Sequence, residues 1–140
     1  MRRPAGALVL IAIAGVLLAA CGSSKDIKPQ DLDPNIFPAA YKQEIVNVMQ
    51  RSLIDPTNVR EASVSPPALT QVGTEQRYTA CVRYNARGYN RTYEGTKERV
   101  AYFYGGHLNQ LIEAQPGQCA KAAYVPFPEL EKMCLAEKCA

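Results

Sequence analysis

The sequence is poor in the residues from which most enzyme active sites are built. Its 140 residues include a single histidine, His107, which lies beside a predicted turn. No Gly-x-Ser-x-Gly motif and no phosphate-cradling glycine pattern accompanies it, so a hydrolase dyad or triad is not supported. The acidic pairs Glu94 with Glu98 and Glu129 with Glu131 are expected to face solvent. We therefore predict no catalytic residues, no cofactor and no enzymatic activity.

The sequence also lacks a Cys-x-x-Cys motif, which argues against a zinc site, and no metal ligands are predicted. If Cys21 is set aside for lipid, four of the five cysteines remain to pair in an oxidising compartment. Three pairings are possible. The favoured one joins Cys81, in a predicted strand, to Cys119, directly after the predicted sheet. Cys134 is then left to Cys139, a bridge that requires a frayed C-terminus because residues five apart on a helix diverge.

No apolar run is long enough to cross a bilayer as a helix. The longest, residues 7–20, has 14 residues, whereas a spanning helix needs roughly 20. With Arg2 and Arg3 before it, this run is typical of a secretory signal peptide. The run ends in Leu18-Ala19-Ala20-Cys21, which resembles the lipobox of bacterial lipoproteins. That resemblance implies cleavage before Cys21, a diacylglycerol on its sulfur and acylation of the new N-terminus, and these chains anchor the protein to a membrane.

The processed chain has little net charge. Loss of Arg2 and Arg3 from 16 basic side chains leaves 14, against 13 acidic ones. Nucleic acid is absent from the predicted compartment and is not a predicted partner. Gly22 stands where enterobacterial inner-membrane lipoproteins usually carry Asp, and this resemblance favours the outer membrane, facing the periplasm. The predicted organisation is a signal peptide over residues 1–20, a lipidated cysteine and tether over 21–38, and one domain over 39–140.

The patterning of the domain predicts an α+β fold. After Pro38, apolar residues recur at helical spacing until Pro56 ends the helix. Residues 77–86 alternate as a strand, residues 91–104 form a second strand, and Gly105-Gly106 closes a hairpin onto residues 107–113. Pro128 opens a last amphipathic helix. We expect an N-terminal amphipathic helix and a short C-terminal helix packed on a three-stranded antiparallel meander.

The order of these landmarks is similar to that of a group of small bacterial envelope lipoproteins. The landmarks that carry the resemblance are Asp55-Pro56, Cys81-Val82-Arg83-Tyr84-Asn85-Ala86, Tyr93-Glu94-Gly95, Gly105-Gly106, Cys119 and Pro126-Phe127-Pro128-Glu129-Leu130. The likeness covers about residues 40–134. It implies a fold and a location in the cell envelope, and it implies no activity.

The middle of the predicted sheet interleaves arginine with tyrosine. Guanidinium groups pair with carboxylates or phosphates, and tyrosines add rigid apolar area with a polar tip, so protein interfaces favour both. A second explanation is that the tyrosines lie in the core and the arginines keep the other face soluble. The candidate partner-binding residues are Arg83, Arg87, Arg91, Tyr84, Tyr89 and Tyr93.

These observations lead to two functional hypotheses. The first is a membrane-anchored lipoprotein that acts as a non-enzymatic binding or scaffold module and docks an envelope protein or an anionic envelope component. The second is a periplasmic inhibitor or immunity protein of a hydrolase. Lysozymes are cationic, so the basic stripe argues against a lysozyme inhibitor within the second hypothesis.

Overall fold

The computed structural model describes residues 33–133. Cys21, Cys134 and Cys139 lie outside the described residues, as does the predicted signal peptide. The elements are α1 (Tyr41–Ser52), β1 (Asp55–Val64), β2 (Ala68–Val72), β3 (Glu75–Arg87), β4 (Tyr93–Tyr104), β5 (His107–Glu113), β6 (Val125–Pro126) and α2 (Pro128–Glu131).

All six strands belong to one antiparallel sheet, in which β5, β4, β3, β1 and β6 are successive neighbours. The sixth strand, β2, pairs with β3. Because β3 has 13 residues, one of its edges accommodates two partners: β2 pairs with its first part and β1 with its second. The predicted α+β fold, two helices on a three-stranded meander, is therefore wrong. Over the described residues the chain is mostly β, with two short helices.

The predicted meander does not include β1, whose backbone is irregular. Asn58 and Glu61 adopt φ of 56° and 55°, and the pairing of β1 with β3 shifts register twice. The buried positions of β1 therefore depart from the strict alternation that identifies a strand. At the second irregularity the Ala62 N–H donates to Glu131 Oε1 of α2, at 2.9 Å.

The core lies between one face of the sheet and the two helices. Ile45 and Met49 of α1 are fully buried, as are Phe127 and Leu130 at α2. They pack on alternate residues of the strands, among them Val82 of β3. No helix within residues 33–133 is long and apolar enough to cross a membrane.

The segment assigned to the end of the tether lies on the domain. Pro38 is fully buried, and the Phe37 ring meets the Tyr78 ring edge-on, with 5.4 Å between centroids. The Gly105 N–H donates to the Pro34 carbonyl at 3.2 Å. Gly106, at φ 83°, faces Ile36 so closely that an added Cβ would lie 3.0 Å from Ile36 Cγ2. Residues 34–38 therefore seat the chain against the hairpin between β4 and β5.

The opposite face of the sheet carries a second, smaller buried group. Cys81 on β3 forms a disulfide with Cys119, as predicted, with the two Cα atoms 5.9 Å apart. Cys119 and Val100 are both buried. Residues 114–124, here called the bridged loop, are thereby held over this face, and the Gln118 side chain donates to the Tyr102 hydroxyl at 2.8 Å.

Candidate functional site

The turn between β3 and β4 presents the most exposed large apolar side chain among residues 33–133. Tyr89 is 87% exposed. The turn beneath it is ordered by two backbone hydrogen bonds, from Gly88 N–H to the Thr92 carbonyl at 3.0 Å and from Arg91 N–H to the Gly88 carbonyl at 2.9 Å. An aromatic side chain is therefore displayed on a defined backbone rather than folded back onto the domain.

Beside this turn an arginine stacks on a tyrosine. The Arg60 guanidinium carbon lies 3.4 Å from the centre of the Tyr93 ring, and the Tyr93 hydroxyl donates to the Asn58 carbonyl at 2.9 Å. The irregular backbone of β1 makes this arrangement possible, since Asn58 and Glu61, either side of Arg60, have positive φ. The sequence pattern did not identify Arg60, because the alternation that would have placed it is absent.

Five residues define the surface at this end of the sheet. Arg91 is exposed at φ 56° within the turn, and Ile54, which is 50% exposed, directly precedes Asp55, the residue paired with Arg87. Neither Arg60 nor Arg91 forms an ion pair with any residue in the described part of the chain. We call this group, which comprises Ile54, Arg60, Tyr89, Arg91 and Tyr93, the hairpin-tip surface.

The other predicted partner-binding residues have internal roles in the structure. Tyr84 is 2% exposed and belongs to the core, as the second explanation of the Arg and Tyr pattern required. Arg87 Nη2 lies 3.0 Å from Asp55 Oδ2 and holds the start of β1 to the end of β3. The structure thus brings Tyr89, Arg91 and Tyr93 together at the tip and buries Tyr84 in the core. Arg87 lies beside the tip as the strand partner of Tyr93, but its side chain is paired with Asp55.

Arg83 belongs to a cluster on the sheet face beneath the bridged loop. Its Nε and Nη2 atoms both donate to Glu98 Oε1, at 3.1 and 2.8 Å, and the Tyr124 hydroxyl donates to the same oxygen at 2.8 Å. The guanidinium carbon also lies 4.1 Å from the centre of the Tyr124 ring. Since Tyr124 directly precedes β6, the cluster fixes the end of the bridged loop, as the disulfide fixes its middle.

The electrostatics of this cluster follow from its hydrogen bonds. Those from Arg83 and then from Tyr124 favour the ionised carboxylate and lower the pKa of Glu98. The bond to Glu98 raises the pKa of Arg83. Burial and then the bond to Glu98 raise the pKa of Tyr124. Because its Nε and Nη2 atoms are engaged by Glu98, Arg83 is not a free anion receptor.

The remaining candidates for chemistry do not form a catalytic arrangement. His107 is exposed and its Nδ1 lies 3.0 Å from Glu44 Oε1. Glu94 pairs with Lys97, which raises the pKa of the lysine. A cleft of about 560 Å³ beside Arg83 and Glu98 is lined by both signs of charge, through Lys97 and Glu113 as well. Over residues 33–133, no three histidine, cysteine or acidic side chains are grouped to hold a metal ion.

Comparison of the chain with protein-family models, with curated proteins and with solved structures finds no match. Function is therefore inferred from the geometry of the domain itself.

Proposed function

We propose that this protein is a membrane-anchored envelope lipoprotein that acts as a non-enzymatic binding module and docks its partner through the hairpin-tip surface. The single observation that carries the proposal is the display of Tyr89, 87% exposed, on an ordered turn. Exposed aromatic side chains beside arginines are typical of residues that dominate binding energy at protein interfaces.

The chemistry of the surface indicates what the partner presents. Arg60 and Arg91 supply two positive charges with no acidic partner among the described residues. Tyr89 and Ile54 supply exposed apolar area on the same surface. A protein face with carboxylates around an apolar pocket complements this arrangement, because charge guides encounter and the buried aromatic ring holds the complex.

The lipid anchor is part of the same proposal. Lipidation of Cys21 follows from the lipobox resemblance, and residues 22–32 then separate the lipid from the described domain. A segment of that length spans at most about 40 Å when extended. The domain consequently works within that distance of the bilayer, in the membrane-proximal periplasm, where the outer membrane is the favoured attachment.

Cross-linking in cells tests the docking proposal. A photoreactive amino acid at position 89 is compared with one at Gln43, which is exposed on α1 next to Glu44, the residue that contacts the start of β5. We expect one envelope protein to be captured from position 89 and not from position 43, and we expect Arg91→Glu to reduce that capture at least tenfold while folding is unchanged. Equal capture from both positions, or capture that ignores Arg91→Glu, would contradict the proposal.

The same tip also suits a second candidate function, inhibition of a hydrolase. An ordered hairpin with one projecting side chain has the shape that enters an active-site cleft, and this observation favours the inhibitor hypothesis. Assay of a panel of cell-wall hydrolases with the protein and with its Tyr89→Ser variant separates the two functions. Inhibition that depends on Tyr89 supports the second function, and its absence across the panel leaves the docking module.

A further inference from the structure

The strand β2 has an open edge that natural sheets usually protect. Within residues 33–133 its one pairing partner is β3. Its sequence, Ala68-Leu69-Thr70-Gln71-Val72, contains no charge and no proline, whereas edge strands are commonly blocked by lysine, proline or a bulge. The first four of these residues are exposed. The edge is therefore a template to which another strand can add.

The turn between β2 and β3 determines which backbone groups face outward. Gly73, at φ 61°, and Thr74 form a two-residue hairpin loop, so Val72 and Glu75, which flank it, are a hydrogen-bonded pair. Pairs alternate along an antiparallel ladder, so Leu69 and Gln71 sit at the non-bonded positions. Their N–H and C=O groups consequently point away from β3, towards the open edge.

At the other side of the sheet the edge strand is β5, and a helix side chain binds its backbone. There the N–H of Leu108, in β5, donates to Glu44 Oε2 of α1. A carboxylate thus occupies the first outward position of β5 and interferes with strand addition. Within residues 33–133, β2 has no equivalent cover from a helix.

Both faces beside β2 offer contacts for the side chains of an added strand. On the core face, Leu69 and Phe37 are 46% and 53% exposed. On the opposite face lies a cleft of about 390 Å³ between β2 and the bridged loop. Its apolar walls are Pro66, Pro67, Ala68, Ala122 and Ala123. An added strand has side chains alternately on the two faces, so it can fill the cleft with one residue and cover Leu69 with the next.

A strand added beside β2 would continue the row in which β6 lies beside β1. Val125 and Pro126 pair with Val64 and Ser63, at the end of β1 that leads into β2. From Tyr124 backwards the chain leaves the sheet and becomes the bridged loop, held there by Cys119. No strand within residues 33–133 therefore continues beside β2 the row that β6 occupies beside β1.

We propose that the β2 edge binds an extended peptide segment of another protein as an added strand, with an apolar side chain in the cleft and an acidic group at Lys121. Main-chain hydrogen bonds to Leu69 and Gln71 supply affinity, and the cleft supplies specificity. Lys121 lines the cleft and has no ion-pair partner among residues 33–133. This charge selects an acidic peptide over a second copy of β2, which carries no charge. The site is separate from the hairpin-tip surface and does not depend on it.

Selection from a phage-displayed library of random heptapeptides tests this proposal, with the full-length chain held in detergent micelles. We expect enrichment of peptides in which apolar residues alternate with others and one residue is acidic. Gln71→Pro removes an outward N–H at a position where an edge strand tolerates proline, and it should weaken binding of the best selected peptide at least tenfold. Gln71→Ala keeps that N–H and should bind as the parent does.

Two further variants make the outcome decisive. Ala122→Trp fills the cleft but leaves the outward N–H and C=O groups of Leu69 and Gln71 in place, and it should also weaken binding at least tenfold. Lys121→Glu should shift the selection from acidic to basic peptides. An absence of enrichment, or binding indifferent to both Gln71→Pro and Ala122→Trp, overturns the proposal. Sedimentation that shows a dimer lost in Gln71→Pro would instead assign the edge to a second copy of the chain and overturn the peptide site.

Discussion

Arg83 and Glu98 face each other across β3 and β4, and two nitrogens of the arginine donate to a single oxygen of the glutamate. The Tyr124 hydroxyl donates to the same oxygen, so the pair also holds the end of the bridged loop. The sequence pattern favoured Arg83 as a binding residue, whereas its partner and its cover both come from within the domain. Arg83 therefore stabilises the domain rather than presenting a free charge to a partner.

The Glu98 carboxylate predicts a pH dependence of stability. The folded-state pKa of Glu98 is lowered, first by Arg83 and then by Tyr124. The stability that the ionised carboxylate contributes is therefore fully present above the unfolded pKa of about 4.3, and it is lost as the pH falls through the lower folded-state pKa. Since both side chains are partly exposed, we expect Glu98→Gln to cost about 1 kcal/mol at neutral pH. Denaturant unfolding should show the difference between parent and variant shrinking below about pH 4.

Glu113→Gln, at the exposed end of β5, is the matched control for Glu98→Gln. It removes a carboxylate from the same cleft without removing the hydrogen bonds of Arg83 and Tyr124. A difference between the parent and Glu98→Gln that stays constant from pH 7 to pH 3 would show that the carboxylate charge is not what stabilises the cluster.

The Cys81–Cys119 disulfide predicts a large loss of stability on its removal. It closes a loop with a sequence separation of 38, for which the chain-entropy relation gives about 4 kcal/mol. The double variant Cys81→Ala with Cys119→Ala removes this bridge without a reductant, which would also reduce the Cys134–Cys139 bridge that the sequence predicts. We expect the free energy of unfolding, measured with urea, to fall by about 3 to 4 kcal/mol. A loss below about 1 kcal/mol would show that the bridged loop is held mainly by Tyr124 and Gln118.

The sequence predicted those parts of the fold in which a regular backbone displays its period. Tyr78, Ala80, Val82 and Tyr84 alternate in the sequence and lie on one face of β3. In β1 the positive φ of Asn58 and Glu61 means that alternate residues no longer lie on one face of the strand. In β2 neither face is buried, so the sequence shows no alternation of apolar and polar residues. The sheet was therefore expected to be half its actual size.

The candidate site was predictable to a similar extent. The predicted strands left Tyr89 in the turn between them, which required only local information. Arg91 was predicted to begin the second strand, whereas it lies in the turn and β4 begins at Tyr93. Whether Tyr84 is buried depends on which face of β3 packs on α1. The ion pairs of Arg83 and of Arg87 are made with acidic residues 15 and 32 positions away along the chain. The stacking of Arg60 on Tyr93 joins two strands that are not neighbours in the sheet. Such contacts arise from the tertiary structure.

The contrast between Tyr84 and Tyr89 gives a direct prediction. Tyr84→Ala removes a buried ring from the core and should cost about 3 to 5 kcal/mol, whereas Tyr89→Ala removes an exposed ring and should change stability by less than about 0.5 kcal/mol. Thermal and urea unfolding of the two variants provide the measurement. In the binding assay the order should reverse, since Tyr89→Ala loses the partner and remains folded. A large stability loss in Tyr89→Ala would remove Tyr89 from the proposed docking surface.

The Glu44 side chain of α1 covers the start of the β5 edge, and its replacement tests this cover. Its Oε2 accepts the Leu108 N–H and its Oε1 lies 3.0 Å from His107 Nδ1, so one helix side chain covers the start of the strand. Glu44→Ala leaves the Leu108 N–H without this acceptor and should cost about 1 to 2 kcal/mol, and Glu44→Gln should cost less because an amide oxygen can still accept. Gln43→Ala, on the exposed side of α1, serves as the control. Amide hydrogen exchange gives the sharper measurement: the Leu108 amide should exchange faster in Glu44→Ala than in the parent. Unchanged exchange at Leu108 would mean that β5 closes its own edge and that Glu44 plays no part in the difference between the two edges of the sheet.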